Sequence, residues 1–223
     1  MPKPLVIVGN GEIAEMACEY FAYDSDREVA AFSIGAEYIK SPTLHDRPVV
    51  ALDELPAAYP PASYDAFVAI GDGQLNRLRR RHLDGCKSLG YRMASYVSSR
   101  AFVWRNVEIG ENCFILEHNV LQPFTAIGDN VTLWSGNHIG HRSVIEDDVF
   151  MSSHVVVSGF CRIGARSFLG VNASLAHQVE IGADNFIAMG AAITASTEPD
   201  SIYQGNPAER RTISAKRFCR VRD

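Results

Sequence analysis

The sequence predicts two joined architectures. Residues 1–94 read as a small, doubly wound parallel α/β sheet, and residues 95–198 as a triangular parallel solenoid, followed by a tail at 199–223. Three observations carry this. A fully apolar four-residue run near the start leads into a glycine-rich turn. Strand-like and helix-like segments then alternate to about residue 94. From Val103 onward an aliphatic residue or Met falls on every sixth position, without exception, as far as Ile193.

In the first part, Leu5-Val6-Ile7-Val8 has the uninterrupted apolar character of a strand buried on both faces. Gly9-Asn10-Gly11-Glu12-Ile13-Ala14 follows, and Met16, Ala17, Tyr20 and Phe21 then recur at helical spacing. Val29–Phe32 reads as a second strand and Asp65–Ile70 as a third. The third runs into Gly71-Asp72-Gly73 and a basic helix carrying Arg77, Arg79, Arg80 and Arg81. Such an order favours a Rossmann-like parallel sheet. The proline-rich piece Leu55–Pro61 reads as a surface connection.

The chemistry of this part lies in its loops. A glycine turn between a buried strand and a helix lets phosphate oxygens approach backbone N–H groups at the positive end of the helix dipole. Gly9, Asn10 and Gly11 stand in that context, matching a GxGxxA pattern. A nicotinamide dinucleotide would want a carboxylate at the tip of the second strand. That tip is Phe32-Ser33-Ile34, so a nucleotide diphosphate carried by a sugar fits better. Gly71, Asp72, Asn76 and Arg77 are expected at the same carboxyl edge, and Arg79 to Arg81 on a solvated helix face.

The hexad column comprises Val103, Ile109, Ile115, Leu121, Ile127, Leu133, Ile139, Ile145, Met151, Val157, Ile163, Leu169, Leu175, Ile181, Ile187 and Ile193. Glycine often follows it, as at Gly110, Gly128, Gly140, Gly164, Gly170 and Gly182. Small or β-branched residues stand four places on, among them Cys113, Thr125, Ser143, Cys161 and Ala173. Neither an amphipathic helix nor a simple strand has a period of six. A three-sided prism does: each hexad supplies a short strand and a corner, and residues 18 apart stack. Rungs roughly 4.8 Å apart over about five coils give a prism about 25 Å tall.

Composition narrows the function. Lys and Arg total 21 against 26 Asp and Glu, a net charge of −5 that disfavours nucleic acid as a partner. No apolar run reaches the roughly 18 residues that span a membrane, and the first residues do not read as a signal peptide. Cys18, Cys86, Cys113, Cys161 and Cys219 are scattered and odd in number, so neither disulfides nor a cysteine-rich zinc site is expected, and a cytoplasmic location fits.

The repeat resembles the left-handed β-helix of the hexapeptide-repeat acyltransferases. The whole chain is similar to the NeuD/PglD-like sugar acetyltransferases, through Val6-Ile7-Val8-Gly9-Asn10-Gly11, Val68-Ala69-Ile70-Gly71-Asp72, Ile139-Gly140-His141 and Gly205-Asn206-Pro207-Ala208. That resemblance implies a cytoplasmic homotrimer using acetyl-CoA as co-substrate, without a metal. The acceptor would be a nucleotide-linked amino sugar such as a 4-amino-4,6-dideoxyhexose, serving surface polysaccharide (lipopolysaccharide) or glycan biosynthesis. The alternatives are a sialic-acid-type O-acetyltransferase and a non-catalytic sugar-nucleotide-binding scaffold.

Acetyl transfer needs a base, and neutral imidazole suits pH 7. Five histidines lie in the repeat: His118, His138, His141, His154 and His177. His141 occupies the hexad slot of the family's catalytic histidine, with His138 the second candidate and a substrate contact. The acidic residue that usually follows that histidine is replaced by Arg142; Glu146, Asp147 and Asp148 are near in sequence, and spacing does not select among them. Trp134 stands where the bacillosamine-type enzymes carry an asparagine, and is expected to touch the acceptor. Phe150 replaces a frequent second histidine near the acetyl group; Gly170, Val171 and Gly190 match positions lining the CoA channel. His118 and His154, like His141 and His177, are two coils apart, but no third ligand completes a zinc site.

Overall fold

Leu5–Val8 (β1) has no solvent-exposed residue, as an apolar run between Pro4 and Gly9 dictates. In the computed structural model, which describes residues 2–222, it is followed by α1 (Glu12–Tyr23), β2 (Val29–Ile34), β3 (Thr43–Leu44), β4 (Arg47–Ala51), α2 (Leu55–Ala58), β5 (Asp65–Val68) and α3 (Arg77–Ser88). The sheet order is β3-β4-β2-β1-β5, parallel except for the β3–β4 hairpin. Ala14, Ala17, Cys18 and Phe21 give α1 its buried face, and the Phe21 and Phe67 rings meet edge-on at 5.1 Å.

Three local expectations are corrected. The third strand of the sequence reading stops at Val68, and a hairpin at Thr43–Ala51 adds an edge to the sheet. Leu55–Pro61 is not wholly a surface connection: Leu55 is fully buried and opens one helical turn, with Pro56 at a position where its missing N–H costs nothing. Arg79 is buried rather than on a solvated face.

By contact density the chain forms two units, Met1–Gly71 with Arg79–Tyr96, and Asp72–Leu78 with Val97–Asp223. The second is the solenoid. From Ile115 to Ile193 every member of the hexad column is buried, at 0–4% exposure. The companion column of Cys113, Asn119, Thr125, Val131, Ser143, Cys161 and Ala173 is buried beside it. Strands two residues long pair in parallel with a register of 18 residues, such as Val120↔His138 and His138↔Val156. These pairings form three sheets. The parallel, repeated short strands fit the β-helix that the resemblance implied.

The three faces differ in character. One, the histidine face, carries Phe102, Val120, His138, Val156, Ser174 and Ala192 outward. The second is charged, with Glu108, Arg162 and Glu180 exposed. On the third, the aromatic face, Phe150, Phe168 and Phe186 stack nearly parallel, with centroids 5.5 and 4.8 Å apart. Its upper part is covered by the same unit: Leu75 and Ala215 join Phe168 and Phe186 in one apolar cluster, and the Phe218 ring meets Phe186 at 5.0 Å.

Turns between faces place every sixth residue at positive φ, among them Asn112, Phe124, Asn130, Arg142, Asp148, Phe160 and Asp184. Most are not glycine, so each corner holds a conformation that costs a non-glycine residue something. Side chains offset it in places: the Asn112 amide donates to Asn130, and the Asn130 amide to Asp148.

Candidate active site

His141 stands on the edge between the histidine face and the charged face, in the corner after the strand His138–Ile139. Gly140 before it is forced: a Cβ there would lie 2.5 Å from the Ser158 carbonyl carbon of the next coil. Coil register therefore decides what surrounds His141. One coil earlier on the same edge, Gln122 Oε1 accepts the His141 backbone N–H at 2.9 Å and lies 3.3 Å from Nδ1. One coil later lies Gly159, where a Cβ would come within 2.5 Å of the imidazole Cε1. Phe160 meets the ring edge-on at 5.1 Å, and His177, two coils on, lies 6.3 Å away between centroids.

The imidazole is exposed, and among the described residues no carboxylate pairs with it. Arg142 does not take the place of the acidic neighbour; its guanidinium lies over the Phe124 ring, 4.4 Å from the centroid. Glu146 is engaged by Arg162, at 2.5 Å. Four cysteines are held toward the unreactive thiol: burial pushes Cys86 up to about 12 and Cys219 up to about 11, and raises Cys18 and Cys161 in the same direction. Among the described residues no group of three or more His, Cys, Asp or Glu is placed to hold a metal ion, and no helix is long and apolar enough to cross a membrane.

Trp134, Gly170, Val171 and Gly190 fall on the neighbouring edge, between the aromatic and histidine faces. Val171 is exposed, and Gly190 has open space where a side chain would be. Phe150 is nearly buried within the aromatic stack, its ring 6.4 Å from that of Trp134. His138 points out of the histidine face between Val120 and Val156. Thus His141 and the expected CoA-lining residues occupy the two edges that bound one face.

Of the residues expected at the sheet edge, Gly9 has a backbone reason to be glycine: at φ +135 its Cβ would lie 2.5 Å from the Ala69 carbonyl oxygen. Gly11 and Gly71 have nothing within 4 Å of a Cβ position, and Asn10 donates to the Tyr38 carbonyl. Asp72, Asn76 and Arg77 belong to the solenoid unit. There Asn76 is fully buried and donates to the Asp148 carbonyl at 2.5 Å. Arg77 pairs with Asp184 at 2.8 Å, beside Arg166 at 2.9 Å. Burial alone would raise the Asp184 carboxyl, but the hydrogen bonds from Arg166 and Arg77 outweigh it and hold the group below the usual carboxylate value.

No family model matches the chain. A histidine-to-asparagine mutant of perosamine N-acetyltransferase from Caulobacter crescentus, solved with CoA and GDP-perosamine, is 25% identical with a TM-score of 0.85, covering 93% of this chain and 96% of that one. The acetyltransferase domain of PglB from Neisseria gonorrhoeae FA1090, in complex with acetyl coenzyme A, is 23% identical with a TM-score of 0.82, over 94% and 99%. Among curated proteins, the acyl-[acyl-carrier-protein]–UDP-N-acetylglucosamine O-acyltransferase of Stutzerimonas stutzeri (strain A1501) is 34% identical over 91 residues, 40% of this chain. The chain spans only 35% of that relative's length. The resemblance read from the repeat and its flanking motifs is borne out by the structural neighbours.

Proposed function

We propose that this chain is an acetyl-CoA-dependent acyltransferase that N-acetylates a nucleotide-linked amino sugar, a 4-amino-4,6-dideoxyhexose of the GDP-perosamine kind, with His141 as general base. The observation that carries this is the exposed His141, seated on a hexapeptide prism in a chain that matches a perosamine N-acetyltransferase over 93% of its length. The amine enters deprotonated, and its lone pair attacks the thioester carbonyl. His141 takes a proton from the nitrogen as the carbon–sulfur bond breaks, then returns it to the CoA thiolate. Backbone N–H groups facing the carbonyl oxygen hold the developing charge. Incubation with acetyl-CoA, a thiol reagent and a panel of nucleotide-linked amino and hydroxy sugars tests the activity; thiol release with no panel member would refute it.

Gly9, Asn10, Gly11 and Gly71 are the proposed nucleotide contacts. Asn76 and Arg77 are committed to Asp148 and Asp184 and are left out. Because a Cβ at Gly11 meets nothing within 4 Å, Gly11→Val is expected to fold normally yet weaken the acceptor's apparent affinity on the order of 10-fold or more, by blocking backbone approach to phosphate. An unchanged acceptor KM would assign the sheet another purpose.

The catalytic unit is proposed to be a homotrimer. The aromatic face is partly covered by its own unit and the charged face is compatible with water, whereas the histidine face leaves Phe102 52% and Val156 44% exposed. Packing that face around a three-fold axis sets the His141 edge of one copy beside the Gly170–Val171–Gly190 edge of the next, so each site takes residues from two copies. Sedimentation equilibrium at micromolar concentration should give three times 24.5 kDa; a stable monomer would exclude it.

A further inference from the structure

We infer that Gln122 is a positioning residue that fixes the tautomer of His141, standing in with a neutral amide for the acidic neighbour that Arg142 replaces. A backbone N–H can only donate, so the Gln122 atom 2.9 Å from the His141 N–H must be the amide oxygen and not the nitrogen. That same oxygen lies 3.3 Å from Nδ1. An amide oxygen has no proton to give, so Nδ1 carries the hydrogen and donates. The distance is long for such a bond, as is common before substrate tightens a site. The neutral ring is then left with its basic lone pair on Nε2, which has no hydrogen-bond partner among the described residues. The histidine side chain in water favours the opposite tautomer, with the hydrogen on Nε2, and would present the wrong atom to an incoming amine.

The remaining neighbours do not compete for this role. Phe160 offers a ring edge, and Gly159 offers no side chain. Among the described residues the titratable group facing the imidazole is His177, at 6.3 Å between centroids; Arg142 turns away over Phe124. A neutral acceptor orients the ring without the charge that would hold the imidazolium. The proton taken from the amine is therefore released more readily to the thiolate.

The inference rests on His141 being the base, but its first test does not. Histidine-15N-labelled protein is examined by long-range proton–nitrogen correlation, with His141 assigned from the His141→Asn spectrum. The expected result is the Nδ1–H tautomer in the native protein, a shift toward Nε2–H in Gln122→Leu, and recovery of Nδ1–H in Gln122→Glu. Turnover of Gln122→Leu should fall on the order of 10-fold, the low end for losing a group that orients a functional histidine, with the KM for acetyl-CoA unchanged. Gln122→Glu should retain turnover at high pH and move the acid limb of the rate profile upward by about one pH unit, because a carboxylate favours the imidazolium. A native Nε2–H tautomer, or a Gln122→Leu variant with unaltered tautomer and rate, would overturn the assignment. If the tautomers behave as expected while His141→Asn keeps full activity, Gln122 positions the ring and the base role alone falls.

Discussion

Replacing His141 by asparagine is expected to lower turnover on the order of 10²–10⁴, the range for loss of one acid–base group. Fold and acetyl-CoA binding should survive, because the side chain is exposed at a corner and contributes nothing to the Ile115–Ile193 core. The corresponding class of variant in the Caulobacter protein was solved with both CoA and GDP-perosamine bound. His138→Asn is the control, with a small expected effect. If the His138 variant is inactive and the His141 variant is not, the base has been misassigned. If both retain full turnover, positioning of the two substrates carries the catalysis instead.

Gly159→Ala should lose activity without losing stability. A Cβ at residue 159 would lie 2.5 Å from Cε1 of His141 and 2.9 Å from both ring nitrogens. The obstructed atoms belong to an exposed side chain rather than to backbone, so the ring is expected to swing aside while the coil stays intact. Displacement of a reacting group by about 1 Å can cost about 10²-fold in rate, and that is the expected loss, with the thermal midpoint nearly unchanged. Gly140→Ala makes the contrast, since its Cβ would strike the backbone at Ser158 and Gly159; that variant should lose stability first. A Gly159→Ala enzyme with native turnover would show that the imidazole seat seen here is not the catalytic one.

The prism was legible because its signal is local and redundant. A period of six repeated from Val103 to Ile193 points to a three-sided prism, and the 18-residue stacking follows from it. The position of His141 was legible for the same reason. Gln122 was not: its importance depends on which amide atom faces His141, 19 residues away, and no spacing encodes that. The partners of Asn76 and Arg77 were not legible, because Asp148 and Asp184 are distant in sequence. Local pattern assigned the segment to the sheet edge that precedes it; buried Leu75 and the Asp184 ion pair tie it to the solenoid. Leu55 was misread because a proline-rich stretch looks like a loop wherever a single helical turn begins with proline.

The strict register also sets what lengths of chain this scaffold can gain or lose. A whole coil inserted above His177 would lengthen the prism and leave the neighbours of His141 untouched, since each contact reaches only one or two rungs away. Six residues inserted between Gln122 and His141 would carry the imidazole to the next edge, a third of a turn from its amide partner. A single inserted residue is harmless only if expelled as a bulge at a corner, because within a strand it would turn aliphatic residues outward. Length variation among chains built this way should therefore come in steps of 18 or as corner loops, with the span from Gln122 to His177 held constant.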